Sequence, residues 1–516
     1  RQRQMCIRDR RQTYGDVMLN LSKTFKEKFS LDAHIGASIK DNRFDELSVY
    51  GPIAGAPNIF NVVNLDKSQK KTPKTGWHEQ TQSFFYSLEL GWKSQLFVTT
   101  TGRNDWASQL ANSPQKSFFY PSVGVSWLPS STFNFPEKFN YLKIRASWAS
   151  VANPFPRELT IATHPYDDTI SGWDDKSNYP IGQLYPERTK TWELGFDARF
   201  LHGFTLSASW YRADTYNQTF NPNLSASSGY SDIYIQTGHV RNTGVEASLG
   251  YDHQWKNWNW NSQFTFSWNK NKIIELCKEW YNPITEETIT MNRLQISKLG
   301  RAKFILKEGG SMGDLYSTTD LRRDDKGNIE IDEGGNVVVE DNLPDMKLGS
   351  VFPDYNLAWR NSVSWKNLNL GFLVTARIGG IVNSLTQANM DLFGVSEATA
   401  AARDAGGALV NGRSLVNPET WYTAIASQGG IPQYYTYSAT NVRLQELSLG
   451  YTIPRKWLHN ICSITVSFVG RNLWMMYCKA PFDPEAVAST NNFYQGMDYF
   501  MMPSTRNLGF NINIKF

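Results

Sequence analysis

Trp192-Glu193-Leu194-Gly195-Phe196-Asp197-Ala198-Arg199-Phe200 sets an apolar side chain at every even position and a charge or glycine at every odd one. Successive side chains of an extended chain project to opposite sides, so a period of two marks a strand whose faces meet different surroundings. The last segment repeats it: Leu508, Phe510, Ile512, Ile514 and Phe516 alternate with Gly509, Asn511, Asn513 and Lys515. Further runs carry Phe84 to Trp92, Leu142 to Trp148, Val245 to Tyr251, Trp260 to Trp268, Tyr355 to Trp365, Leu368 to Val374 and Ile464 to Phe468. Such runs predict about fifteen strands with almost no helical periodicity between them. Near Asn441–Tyr451 the apolar phase slips between Leu444 and Leu447, which predicts a bulge.

The connections alternate short and long. Trp92-Lys93-Ser94, Leu201-His202-Gly203, Asp252–Asn257, Trp365-Lys366-Asn367 and Pro454–Asn460 are short. Asp41–Trp77, Ser150–Lys190, Tyr216–Gln236, Asn271–Phe352, Gly379–Thr440 and Met475–Arg506 are long. Tight turns at one end and long loops at the other fit an outer-membrane barrel better than a soluble sandwich.

Composition is compatible with that reading. The chain is 41% hydrophobic and 19% charged, with mean hydropathy −0.45. No run of about 18 apolar residues exists to form a membrane helix. A barrel strand needs only about 9–11 residues and shows lipid every second one. The 18 Trp, 24 Tyr and 29 Phe suit aromatic girdles at two interfaces. Trp92, Trp127, Trp148, Trp192, Trp268 and Trp365 stand where runs begin or end, and Arg145, Glu193, Asp197, Arg199, Glu246 and Arg377 keep to the polar phase. The expected fold is all-β, a transmembrane antiparallel β-barrel. A net charge of +4 gives no basic stripe for nucleic acid, and Cys6, Cys277, Cys462 and Cys478 lack metal-ligand spacing.

Residues 1–10 are set apart from this fold reading. Met5-Cys6-Ile7-Arg8-Asp9-Arg10 reads like a translated sequencing-library adapter, and no signal peptide follows it. The expectation is that 11–516 is the C-terminal portion of a barrel whose N-terminal region lies upstream. The odd strand number and the terminal aromatic Phe516, which resembles an outer-membrane assembly signal, agree with this.

Several stretches resemble the SusC/RagA family of TonB-dependent outer-membrane transporters of Bacteroidota. They are Thr100–Trp106, Phe118–Val123, Leu142–Trp148, Val240–Glu246, Trp268–Ile273, Gly309–Asp314, Val442–Tyr451, Gly470–Trp474 and Phe482–Glu485. The resemblance implies a barrel of about 22 strands, of which this chain would hold about strands 8 to 22. It also implies an N-terminal plug and TonB box, absent from this chain. The implied partners are a SusD-like lipoprotein and the TonB-ExbB-ExbD complex. The implied cargo is an oligosaccharide, glycan or peptide.

No catalytic, metal or cofactor constellation emerges. The seven His are scattered, and Asp167-Asp168 and Asp174-Asp175 read as solvated loop carboxylates. Asp320–Asp332 loosely resembles a calcium loop, but Lys326-Gly327-Asn328 reads better as a hairpin turn. The candidate ligand contacts are loop aromatics, whose faces stack on sugars or pack on peptides: Tyr166, Trp173, Tyr179, Trp280, Tyr281, Trp421, Tyr434, Tyr435, Tyr494 and Tyr499. Packing of these rings against their own loops is the competing reading. The competing functions are a passive outer-membrane porin and a secreted all-β glycan-binding or adhesin module.

Overall fold

In a computed structural model, the alternating runs lie side by side in one antiparallel sheet of 15 strands. The structure describes all residues except 1, 60, 158, 160–165, 168–171, 174–183, 222–232, 283–285 and 490–493. The strands are β1 (Gln2–Phe25), β2 (Phe29–Pro52), β3 (Lys74–Trp92), β4 (Leu96–Ala107), β5 (Phe118–Trp127), β6 (Phe139–Asn153), β7 (Glu187–Phe200) and β8 (Phe204–Phe220). The sheet continues with β9 (Ile235–Gln254), β10 (Trp258–Glu275), β11 (Tyr355–Trp365), β12 (Leu368–Ile378), β13 (Asn441–Ile453), β14 (Ser463–Cys478) and β15 (Asn507–Lys515). Each strand pairs with its neighbours in this order, leaving β1 and β15 at the two edges. Residues Gln2–Arg10 continue β1 opposite Phe44–Pro52.

The register converts the alternation into one continuous apolar face. Leu194 of β7 lies opposite Ala146 of β6 and Trp210 of β8. Trp210 in turn meets Val245, and Val245 meets Trp268. Across β10 to β12, Phe264 faces Trp359 and Trp359 faces Val374. A slip of one residue in any pair would turn its apolar set to the other side. Leu194, Phe264, Trp359 and Leu370 are exposed although apolar, so among the described residues no second layer covers them.

The bulge lies where the phase slips. Leu373 pairs with Glu446 and Val374 with Leu444, so Gln445 is the additional residue. At the short-turn end an aromatic chain crosses five strands. Phe139, Phe200, Phe204, Tyr251 and Trp260 stand 6.2, 5.6, 4.5 and 5.1 Å apart, centroid to centroid. Trp258 stacks on Trp365 at 5.6 Å further along the same end.

The long connections carry structure that alternation does not show. Segment 379–440 holds three helices, α1 (Leu385–Leu392), α2 (Glu397–Asp404) and α3 (Pro418–Ala426). At eight or nine residues they are too short to give the helical periodicity that the sequence lacks. Ser384, Ser396 and Asn417 cap them, each accepting a first-turn N–H. Another connection folds a four-stranded sheet from Arg293–Leu299, Ala302–Lys307, Asp314–Ser317 and Met346–Ser350. Ala302, Phe304, Leu315, Val351, Leu385 and Met497 form one buried cluster, which joins three connections into a loop cap. Among the described residues no helix is long and apolar enough to cross a membrane, which says nothing of strands.

An arginine at Phe264, midway along β10, is expected to cost about 2–4 kcal/mol in a bilayer. Arginine at Gln263 on the opposite face should cost under ~1 kcal/mol by the same measure. Denaturant unfolding of the two variants in lipid vesicles checks this; equal costs would refute the assignment of faces.

Candidate functional site

Residues of β6 and of β8 to β12, with one from the cap, line a cavity of about 560 Å³. Arg145, Glu246, Arg377 and Glu485 bring charge of both signs to it. Ser207, Ser209, Thr265, Ser267 and Thr375 add hydroxyls and Asn356 an amide. Arg145 donates to Asp197 at 2.8 Å, and Asp197 also accepts from Ser207 at 2.6 Å. Arg377 donates to the carbonyl of Val351 at 2.8 Å, tying β12 to the cap. Ala247, Phe266, Leu357, Ala358 and Ala376 complete the lining, so hydrogen-bonding groups and apolar surface lie side by side, which suits a ligand with both.

Glu485 reaches this cavity from the cap because Arg443 of β13 holds its loop. The Arg443 guanidinium donates to both Asp483 oxygens, at 2.8 and 3.1 Å, and lies 3.0 Å from Glu485. Both Arg443 and Asp483 side chains are over nine-tenths buried. Burial works to raise the Asp483 carboxyl, but hydrogen bonds led by Arg443 outweigh it and hold it below its ordinary value. A second clamp joins Arg293 to Asp345 at 2.6 and 2.8 Å, and those hydrogen bonds hold Asp345 far below the usual carboxylate range.

The predicted aromatics separate into groups. Tyr435 is 2% exposed and gives its hydroxyl to Asp391 at 3.0 Å. Burial pushes its phenol well above the ordinary value. Trp421 and Tyr434 meet edge to face at 6.0 Å around the same cluster. These three rings pack the cap, and Tyr435 offers no face to a ligand in this arrangement. Tyr281, Tyr494 and Tyr499 are exposed, with Tyr499 beside Phe500 at 5.2 Å. Tyr166 and Trp173 pair by backbone in a short hairpin, and Trp280 lies in the strand Cys277–Asn282. Tyr179 lies outside the described residues. Among those whose side chains are described, Trp421, Tyr434 and Tyr435 belong to one cluster, and Tyr281, Tyr494 and Tyr499 lie outside it.

The acidic stretch is a pair of turns. Asp324 accepts the N–H groups of Lys326 and Asn328 at 2.9 and 2.8 Å, and Asp332 accepts that of Asn336 at 2.8 Å. Among the described residues, no three His, Cys, Asp or Glu side chains are grouped to hold a metal.

The sequence model described as TonB dependent receptor-like, beta-barrel matches residues 6–473. The chain belongs to this family. TonB-dependent receptor barrels are outer-membrane receptors and transporters rather than enzymes, so the exposed apolar face meets hydrocarbon and the polar face lines the interior. TonB-dependent receptor P3 of Formosa agariphila is 26% identical, over 96% of this chain and 52% of that protein. TonB-dependent receptor SusC of Bacteroides thetaiotaomicron is 21% identical, over 73% of this chain and 38% of that protein. The chain spans about half the length of the curated relatives it matches. The RagAB peptide transporter structure covers all of this chain and 56% of its own with TM-score 0.77 at 17% identity, a likeness of fold.

In this TonB-dependent receptor barrel, several of the stretches that carry the SusC/RagA resemblance are joined to one another, some within the wall and some between wall and loops. Asn242 and Asn271 share a hydrogen bond at 2.9 Å, and Asn271 accepts the Met312 N–H at 2.8 Å. That chain links Val240–Glu246, Trp268–Ile273 and Gly309–Asp314. Arg103 and Tyr120 both donate to Asp105 at 2.7 Å, linking Thr100–Trp106 to Phe118–Val123. Arg443 with Asp483 links Val442–Tyr451 to Phe482–Glu485. Gly244 belongs to the same set: a Cβ there would stand 2.5 Å from the Tyr211 ring.

Replacing Arg443 by Met should leave Asp483 buried without its partner, at a local cost of about 3–5 kcal/mol. Faster amide exchange across 480–488, relieved when Asp483→Asn is added, is the expected outcome. Unchanged exchange would show that the pair does not hold the loop.

Proposed function

We propose that the protein containing this chain imports an oligosaccharide, glycan or peptide across the outer membrane, driven by TonB and assisted by a SusD-like surface lipoprotein. The observation that carries the reading is the hydroxyl-rich cavity on the inward face of a TonB-dependent receptor wall. Mixed charge with many hydroxyls matches the hydroxyl and amide groups of sugars and peptide backbones. The exposed cap aromatics Tyr281, Tyr494 and Tyr499 add faces on which sugars stack or side chains pack.

The remainder of the machine is part of the same proposal. β1 and β15 are the edges of the sheet, and an unpaired strand edge is not tolerated in hydrocarbon. In this reading further strands complete a barrel of about 22, of which the fifteen here are about strands 8 to 22. A plug fills the lumen and gives the TonB-ExbB-ExbD complex its handle. Cargo captured between lipoprotein and cap passes along the polar wall when the plug is displaced.

Uptake of labelled oligosaccharide and peptide pools by the native host tests this, in parent cells, in cells lacking the protein and in cells lacking TonB. The expected result is loss of uptake in both deletions. Uptake that needs the protein but persists without TonB would make it a passive porin and overturn the proposal.

A further inference from the structure

On the outward face of β7 to β10 the apolar band ends at Trp192, Trp210 and Trp268. Toward the long connections, the same face then carries Lys190, Arg212, Arg241, Lys270 and Lys272. The register groups them: Trp192 lies opposite Arg212, Lys190 opposite Asp214, Asp214 opposite Arg241, and Arg241 opposite Lys272. Five cations therefore stand together directly above an aromatic row.

Two acids share this area, Asp214 and, further out, Glu275. Asp214 is fully engaged. One of its oxygens accepts from His239 and from Arg241 Nε, each at 2.7 Å, and the other accepts from Arg212 Nε at 2.9 Å. Both arginines are fixed through Nε, so their paired terminal nitrogens remain to bind something else. Among the described residues, no carboxylate engages Lys190, Lys270 or Lys272. Lys190 instead lies 5.3 Å from the centre of the Tyr216 ring, which stacks on His239. On β2 and β3 the outward rim pairs its charges instead, Asp41 with His78 and Arg43 with Asp45.

Lysines above an aromatic girdle can simply extend into water. Here two guanidiniums are held around one buried carboxylate, and three lysines share their face on the neighbouring register positions. We propose that this patch is a binding site for a phosphate-bearing acyl lipid of the surrounding leaflet. Its head-group phosphate is held by the arginine terminal nitrogens and the lysines, which are the groups suited to phosphate oxygens. Its acyl chains lie along the wall below, past Trp192, Trp210 and Trp268. Charge complementarity and continuity with the lipid-facing band select this occupant over a soluble anion.

The test uses the full protein purified in detergent, with three probes: bisphosphorylated lipid A, the same lipid with both phosphates removed, and inorganic phosphate. Retained lipid is read by native mass spectrometry. The bisphosphorylated form should be retained at least about tenfold better than the dephosphorylated form, and millimolar phosphate should not displace it. Replacing Lys190, Lys270 and Lys272 by Gln leaves the Asp214 network intact. At about fivefold per lysine, that variant should weaken retention on the order of a hundredfold. The matched variant K93Q/K366Q/K456Q at the short turns should retain lipid normally, and heat-modifiable migration verifies that both variants fold. Equal retention of the two lipid forms, displacement by free phosphate, or full retention by the first variant would overturn the proposal.

Discussion

A backbone N–H or carbonyl left unpaired in hydrocarbon costs several kcal/mol, and the wall is arranged around that penalty. Strands that bond on both sides meet it, as Trp210 does between Leu194 and Val245. Once the backbone is committed sideways, side chains can point only outward to lipid or inward to water. Leu194 and Glu193, adjacent in sequence, therefore meet opposite solvents. The loop asymmetry is compatible with the same constraint: one end of the wall is closed by tight turns, while the connections at the other end are free to grow.

What grows there is a folded cap rather than a set of separate loops. Segments far apart in the chain meet in it, as Ser384 and Asp498 do at 2.6 Å. Its cohesion comes from small apolar clusters and from ionic clamps that the wall supplies. Arg443 is a wall residue whose role is to hold Asp483 and Glu485 of the cap, and Glu485 enters the inward cavity through that hold. Wall, cavity and cap are thus coupled through a few charged side chains, and two of the family-like stretches, Val442–Tyr451 and Phe482–Glu485, meet in that coupling.

Much of the wall was legible in the sequence because a period of two needs no tertiary information. The runs at Trp192–Phe200 and Leu508–Phe516 are strands β7 and β15, and the slip near Leu444 is the bulge at Gln445. The cap was not legible. Its helices are about eight residues long, too short for periodicity to emerge, and only their caps Ser384, Ser396 and Asn417 signalled them. Loop aromatics look alike in sequence, yet Tyr435 is buried on Asp391, 44 residues earlier, while Tyr499 is exposed. That difference depends on contacts between distant segments. The basic patch above Trp192 was hidden for a related reason: its five cations come from four strands and gather only through register.

Site-directed spin labels at every position from Trp192 to Phe200, in the protein reconstituted into lipid, measure the two-faced wall most directly. Collision with dissolved oxygen should peak at the even positions, where the label meets hydrocarbon. Collision with a water-soluble nickel reagent should peak at the odd positions, where it meets the interior. A period of two with the reagents in opposite phase is the predicted result. Nickel access at every position, or no alternation, would contradict a lipid-facing wall.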